Sequence, residues 1–240
     1  EKEEFHAAST MKTPVMIEVF KQAEQGKFSL SDSVIVKNEF KSIVDGSTYS
    51  LDISRDSADK LYSHIGEKSS IEDLMIGMII HSSNLATNNI VELIDAKKAN
   101  QTMRELGAKD IMVLRGVEDI KAYEAGLSNT TTAYDLMLIY EKLAKGEVVS
   151  EEASQRMTEI LLRQQHNDII PALLPEEVKV AHKTGSITGV RHDSGMVILP
   201  DGRKYVLVLL SEDIKDSEAG IKVLAQVSRM VYDYMAGKEE

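Results

Sequence analysis

The chain has 240 residues, no cysteine, and 28 Lys and Arg against 39 Asp and Glu, for a net charge of −11. Scattered cations on an acidic chain argue against nucleic acid as a partner, and the absence of thiols excludes disulfides and thiolate catalysis. The longest apolar runs are short, such as Tyr205 to Leu210, so no membrane span is expected. A signal peptide is not visible, and a mature or trimmed chain would show none. The six histidines (His6, His64, His81, His166, His182 and His192) have no paired helical spacing, so neither a metal nor a cofactor is expected.

Near the start, Met11, Val15, Met16, Val19, Phe20 and Ala23 recur at helical spacing, and Gly26 closes the run. Ser9 then lies at the helix start, with Lys12 on the same face. A serine beside an amine at the positive end of a helix is a candidate activated nucleophile. The same four residues equally describe a capping serine and a solvated lysine, and Ser57-Ala58-Asp59-Lys60 repeats the pattern.

Val34 to Val36 reads as a short strand, and residues 38 to 60 as loop, with a short helix near Ala58 to His64. Ser69 to Asp73 is a capping signature ahead of Leu74 to Ile80, which is apolar nearly all round and reads as a buried helix. That run stops at His81-Ser82-Ser83-Asn84. Helices follow over Leu85 to Ile94 and Lys98 to Leu106, the second ended by Gly107. An irregular stretch from Arg115 to Asn129 is long enough to be functional. Thr130 to Thr132 cap a helix reaching Lys145, and Ser150 caps another to about Arg163. The pattern then changes. Val178 to His182, Gly189 to Leu199 and Lys204 to Leu210 read as strands, Pro200-Asp201-Gly202 as a turn, and Asp216 to Met235 as an amphipathic helix covering the sheet. The division expected is one domain over 1–240, with a mainly helical lobe (9–168) and a sheet lobe made of 1–8 and 169–240.

Three motifs occur in order: Ser9-x-x-Lys12, Ser82-Ser83-Asn84 and Lys183-Thr184-Gly185. They sit on a helix start, an interhelical junction and the first strand of a sheet. On these motifs the sequence resembles the class A β-lactamases and related penicillin-binding serine hydrolases, whose signature set is of this kind. The resemblance runs from the first helix to the last. It implies an α/β (α+β) fold of the β-lactamase/transpeptidase type: an antiparallel sheet covered by helices, plus an all-helical lobe.

Acyl transfer needs a nucleophile, a base, a proton donor and oxyanion donors. Ser9 is the nucleophile, and Lys12, held neutral, its base. Lys183 supplies a cation that lowers the affinity of Lys12 for its proton, and with Thr184 attracts a substrate carboxylate. Gly185 lets substrate lie along the strand edge. The resemblance implies that Ser82 relays a proton to the leaving nitrogen and that the N–H groups of Ser9 and Ser186 hold the oxyanion. Asn84 is placed to hold a substrate amide, and the Ser186 hydroxyl to share the carboxylate. For deacylation the resemblance implies a loop arginine followed by a glutamate. Arg115 matches the arginine. Glu118 matches the base but lies one residue further on than the pattern, and Glu124 is the second candidate.

The sequence departs from the family at several points. Ser83 replaces an aspartate, and Asn129 stands where an aspartate often pairs with the loop arginine, so a hydrogen-bonded clasp between Asn129 and Arg115 is expected. The strand Asp193-Ser194-Gly195 lacks a carboxylate-binding arginine, for which Arg191 is a possible stand-in. Only Glu1 to Ala8 precede Ser9, where the family has a helix and two strands. Their absence leaves Lys204 to Leu210 as a bare sheet edge, and the chain is expected to be a fragment of a longer one. The resemblance implies a β-lactam or D-alanyl-D-alanine-like substrate and a periplasmic or secreted location. A β-lactamase, a slowly deacylating peptidase or esterase, and a penicillin sensor without turnover all remain open.

Overall fold

The computed structural model describes residues 1–57 and 59–237. Ala58, in the repeat of the first motif and at the start of the expected short helix, lies outside them. The chain begins with β1 (Phe5–His6) and a 3-10 turn over Ala8–Met11 that runs directly into α1 (Lys12–Glu24). Then come β2 (Ser33–Ile35), β3 (Phe40–Lys41), β4 (Thr48–Tyr49), 3-10 turns at Ile53–Arg55 and Asp59–His64, and β5 (Lys68–Ser70). Helices α2 (Ile71–Ile80), α3 (Asn84–Ile94), α4 (Ala96–Leu106) and α5 (Ile120–Glu124) precede β6 (Thr130–Thr131). The remainder is α6 (Ala133–Ala144), α7 (Glu151–Leu161), β7 (Lys179–Ile187), β8 (Val190–Ile198), β9 (Lys204–Leu209) and α8 (Ser217–Ala236).

Local chemistry sets most helix starts. Ser70, Ser83, Thr132 and Ser150 each accept the backbone N–H three residues on, as do Asp119 and Asp216. Helix α1 is different. Neither Ala7, ahead of the 3-10 turn, nor Met11, ahead of α1, makes a side-chain cap. Ser9 lies inside the turn, so its hydroxyl is not spent as an N-cap.

Helix α1 is the axis of the core. Met11, Val15, Met16, Ile17 and Val19 are fully buried, and Leu74, Met75, Met78 and Ile79 of α2 pack into the same cluster. Each such side chain contributes about 1.5–3 kcal/mol on burial. The three-stranded sheet is antiparallel, in the order β7-β8-β9. Its two faces separate by alternation. Ala181, Met196 and Val206 are opposite one another and face the helical core, whereas Val180, Val197 and Tyr205 form a second cluster with Tyr232 of α8. Gly195 is opposite His182, where a Cβ would lie 2.5 Å from the carbonyl of Ala181 and from the Cβ of His182. No helix among the described residues is long and apolar enough to cross a membrane.

Four expectations change. The 38–60 loop contains the β3–β4 hairpin, and the Arg115–Asn129 stretch contains α5, both too short to leave a periodic signal. Phe5 and His6 do not join the three-stranded sheet but ladder with Thr130 and Thr131. The outer edge of β9 has no ladder partner among the described residues, but its side chains are half-buried or better from Tyr205 to Leu209.

Candidate active site

The three motifs converge. Ser9 lies in the 3-10 turn one step ahead of Lys12, whose backbone N–H bonds to the Ser9 carbonyl. Lys12 is fully buried, and its Nζ donates to the Ser82 carbonyl (2.7 Å), the Ser82 Oγ (3.2 Å) and the Asn84 Oδ1 (3.1 Å). Lys183 is also fully buried and donates to the same Ser82 Oγ (3.1 Å) and to the Thr184 carbonyl (3.0 Å). One hydroxyl therefore lies between two lysine amines. Ser9, Asn84 and Ser186 line both of two adjoining cavities, of about 310 and 370 Å³. The smaller reaches Ser82 and Thr184, the larger Glu118 and Tyr123.

Two buried ammonium groups so close are costly, and the structure sheds charge. Burial and the neighbouring Lys183 hold Lys12 well below the usual lysine range, while Asp56 and Glu118 pull it back up. Burial lowers Lys183 to about 7, against the opposing pull of Asp193. Both amines are therefore less firmly protonated than an ordinary lysine.

Three of the six non-glycine residues with positive φ among the described residues lie here. Ala8, Ser82 and Glu118, none of them glycine, have φ of 45°, 57° and 61°. Each such residue costs about 1–3 kcal/mol and persists only where its surroundings over-determine it. Gly185 is needed for space: a Cβ there would lie 3.2 Å from the Ser9 nitrogen and 3.1 Å from Thr10 Cγ2. This glycine lets the strand run against the nucleophile's turn.

The two loop glutamates part company. Glu118 Oε1 accepts from Asn84 Nδ2 (2.8 Å), and Glu118 lines the larger cavity with Ser9. Glu124 is exposed at the end of α5 and lines neither cavity. The sequence pattern weighed them by distance from Arg115, but the left-handed turn at Glu118 is what brings it inward.

One other expectation is corrected. Asn129 does not clasp the Arg115 guanidinium. Its amide bridges backbone, accepting from the N–H groups of Leu114 (2.8 Å) and Arg115 (3.1 Å) and donating to the Arg115 carbonyl (3.0 Å). The guanidinium instead donates to the carbonyls of Leu127 and Gly116. Arg191 lines the smaller cavity with Ser9 and Thr184, its Nε held by Ser217 Oγ and its Nη1 by the carbonyls of Ile187 and Val190.

Sequence reasoning missed the groups that hold the loop. Asp119, almost fully buried, accepts from Ser42 Oγ, Ile43 N–H and Ala122 N–H. Asn88 of α3 accepts from Val117 N–H (2.6 Å) and donates to the Val117 carbonyl (3.0 Å). The buried polar pair Asn88-Asn89 within α3 was the available signal. Asp119→Ala strands three donors and is expected to cost about 3 kcal/mol, read as a lower urea midpoint. An unchanged midpoint would mean that the clasp is not structural.

Among the described residues, no group of three or more His, Asp or Glu side chains converges in a metal-holding arrangement. With a β-lactamase/transpeptidase-type fold and this serine–lysine constellation on the page, comparison with known proteins is decisive at the family level. The model of the β-lactamase enzyme family matches residues 1–235, and the chain belongs to that family. It is 25% identical to the extended-spectrum β-lactamase PER-1 of Pseudomonas aeruginosa, over 97% of this chain and 76% of that one. Among solved structures, the β-lactamase of Sphaerobacter thermophilus aligns with a TM-score of 0.83 and 26% identity, over 99% of this chain and 86% of that one. The protein PBP-A aligns with a TM-score of 0.84 and 28% identity, over 98% of this chain and 83% of its own. A point mutant of PBP-A has been solved as an acyl-enzyme complex with penicillin G.

Proposed function

We propose that the protein is a serine β-lactamase that opens the lactam through an acyl-enzyme on Ser9. The observation that carries this is the single Ser82 hydroxyl held between the Lys12 and Lys183 amines. In acylation, neutral Lys12 takes the Ser9 hydroxyl proton as Oγ bonds to the lactam carbonyl carbon. The N–H groups of Ser9 and Ser186 bind the oxyanion. As the C–N bond breaks, the proton passes from Lys12 through the Ser82 hydroxyl to the lactam nitrogen. Lys183 and the hydroxyls of Thr184 and Ser186 hold the substrate carboxylate, and Asn84 the side-chain amide.

In deacylation, Glu118 takes a proton from water while the oxygen attacks the acyl carbon. As the acyl C–O bond breaks, Ser9 Oγ takes that proton from Glu118, which restores both groups, and the penicilloate-type acid is released. The hydrogen bond to Asn84 Nδ2 keeps Glu118 aimed into the cavity beside Ser9. The site needs no cofactor. The resemblance to β-lactamases also supports an address outside the cytoplasmic membrane, periplasmic or secreted.

The test is hydrolysis of a chromogenic cephalosporin, with mass spectrometry of the intact protein alongside. Transient addition of one substrate mass with sustained colour is expected. Wild-type protein that takes up penicillin but shows no colour change would overturn the lactamase reading. Glu118→Ala should then trap the adduct and slow turnover roughly 10²-fold or more, whereas Glu124→Ala should leave both unchanged. Equal behaviour of the two variants would remove Glu118 from its role.

A second reading is a D-alanyl-D-alanine peptidase of the same family that deacylates slowly. The one-residue offset of Glu118 from the family pattern and the likeness to PBP-A favour it. A long-lived adduct together with release of D-alanine from a cell-wall peptide would support it.

A further inference from the structure

The second motif carries Ser83 where the family pattern has aspartate, yet the structure places a carboxylate there. Asp56 follows the 3-10 turn at Ile53–Arg55 and meets the start of α3. Its Oδ1 accepts the Asn84 N–H (3.0 Å) and its Oδ2 the Leu85 N–H (2.8 Å). The Tyr62 hydroxyl (3.2 Å) and the Ser83 hydroxyl (3.4 Å) also donate to Oδ2. We infer that Asp56 is a positioning residue of the acylation site, supplying from a separate loop the negative charge that fixes the Ser82–Asn84 turn and balances Lys12.

The physical argument has two parts. Ser82 is held at a φ of 57°, which a serine does not adopt without restraint. Lys12 restrains it from inside the core, through the Ser82 carbonyl and hydroxyl. From the other side Asp56 accepts the N–H groups of Asn84 and Leu85, where the α3 dipole also favours an anion, while the intervening Ser83 N–H bonds the Gly77 carbonyl (3.1 Å). Without Asp56 the N–H groups of Asn84 and Leu85 lose their acceptor, and the hydroxyl that lies between the lysines loses one of the restraints on its position.

The second part is charge. The charged groups acting on Lys12 are Lys183 from β7, which disfavours its proton, and Asp56 and Glu118, which favour it. The remaining polar partners, Ser82 and Asn84, are neutral. Asp56 thus offsets the burial of Lys12 while remaining outside the lining of both cavities at Ser9. It acts through Ser82, Asn84 and Lys12 rather than on substrate.

The kinetic arm of the test rests on acylation at Ser9, whereas the titration arm does not. In the whole chain, Lys12 is titrated by carbon-13 NMR of its ε-carbon and assigned with Lys12→Arg. Asp56→Asn keeps the shape and removes the charge, so Lys12 should lose its proton at lower pH than in wild type. Acylation by a fluorescent penicillin should fall about tenfold at its plateau, the loss of one charge-assisted anchor. The acid limb of its pH profile should move to lower pH. Ser83→Asp added to Asp56→Asn should restore both, and serves as the folding control. Asp56→Glu keeps the charge but shifts the carboxylate, so it should slow acylation without moving the Lys12 titration. An unmoved Lys12 titration in Asp56→Asn, or a rate loss equal at every pH and not recovered by Ser83→Asp, overturns the inference. Wild-type protein that titrates as expected but is never acylated overturns the proposed function instead.

Discussion

Ser9→Ala is expected to abolish covalent labelling by penicillin and to lower β-lactam turnover by about 10⁴-fold or more, because the proposed covalent route runs through its hydroxyl. Stability should change by less than about 0.5 kcal/mol. Ser9 is half-buried, makes no cap and carries none of the core packing, which rests on Met11, Val15 and Met16 around it. Intact-protein mass spectrometry reads the labelling, and a chromogenic cephalosporin reads the turnover. A penicillin adduct surviving in Ser9→Ala would move the nucleophile elsewhere. Ser82, the other hydroxyl at the site, would be the first to examine.

Lys183→Met should produce the opposite pairing, a dead enzyme that is more stable near neutrality. Folding moves Lys183 from an ordinary value of 10.5 to about 7. The unfolded chain therefore binds more protons between those two values, so stability rises with pH across that window. Below the folded value both states are protonated, and the native state carries the full penalty, roughly 5 kcal/mol at 1.36 kcal/mol per unit. Methionine removes it but leaves the Ser82 Oγ and the Thr184 carbonyl without their donor, which returns about 1–3 kcal/mol. A net gain of roughly 2 kcal/mol at pH 6 is expected, shrinking to a loss by pH 9.5. Urea melts at pH 6, 7.5 and 9.5 measure it, and the slope against pH should be shallower than in wild type. Methionine also relieves Lys12 of a neighbouring charge, so any residual acylation should shift its acid limb to higher pH. A variant less stable than wild type at pH 6 would show that Lys183 does not carry this burden.

The two substitutions separate roles that sequence motifs join. On the proposed mechanism Ser9 is replaceable for the fold and indispensable for chemistry. Lys183 is a fold liability retained for chemistry, as is the strained φ at Ser82. Both fit a site where local stability is given up for preorganised charge.

The sequence by itself determined whatever depends on neighbours within a turn or two. The helix starts at Ser70, Thr132 and Ser150, the periodic buried faces of α1 and α2, and the three strands of the sheet all follow from spacing and capping that act locally. The three motifs were legible too, because each is contiguous, and the roles expected of Ser9, Lys12, Ser82 and Lys183 required only that these meet. Tertiary structure alone decided which carboxylates joined them. Asp56 reaches Asn84 across 28 residues with nothing in its local sequence to mark it, and Glu118, marked by its spacing from Arg115 alongside Glu124, reaches Asn84 across 34. Glu118 rather than Glu124 enters because one residue turns left-handed, and Asn129 grips backbone instead of a guanidinium because Leu127 and Gly116 already hold the arginine. Hydrogen bonds between loops are satisfied only when all the loops are in place. Their partners are therefore fixed by the folded whole, whereas caps and periodicity are fixed residue by residue.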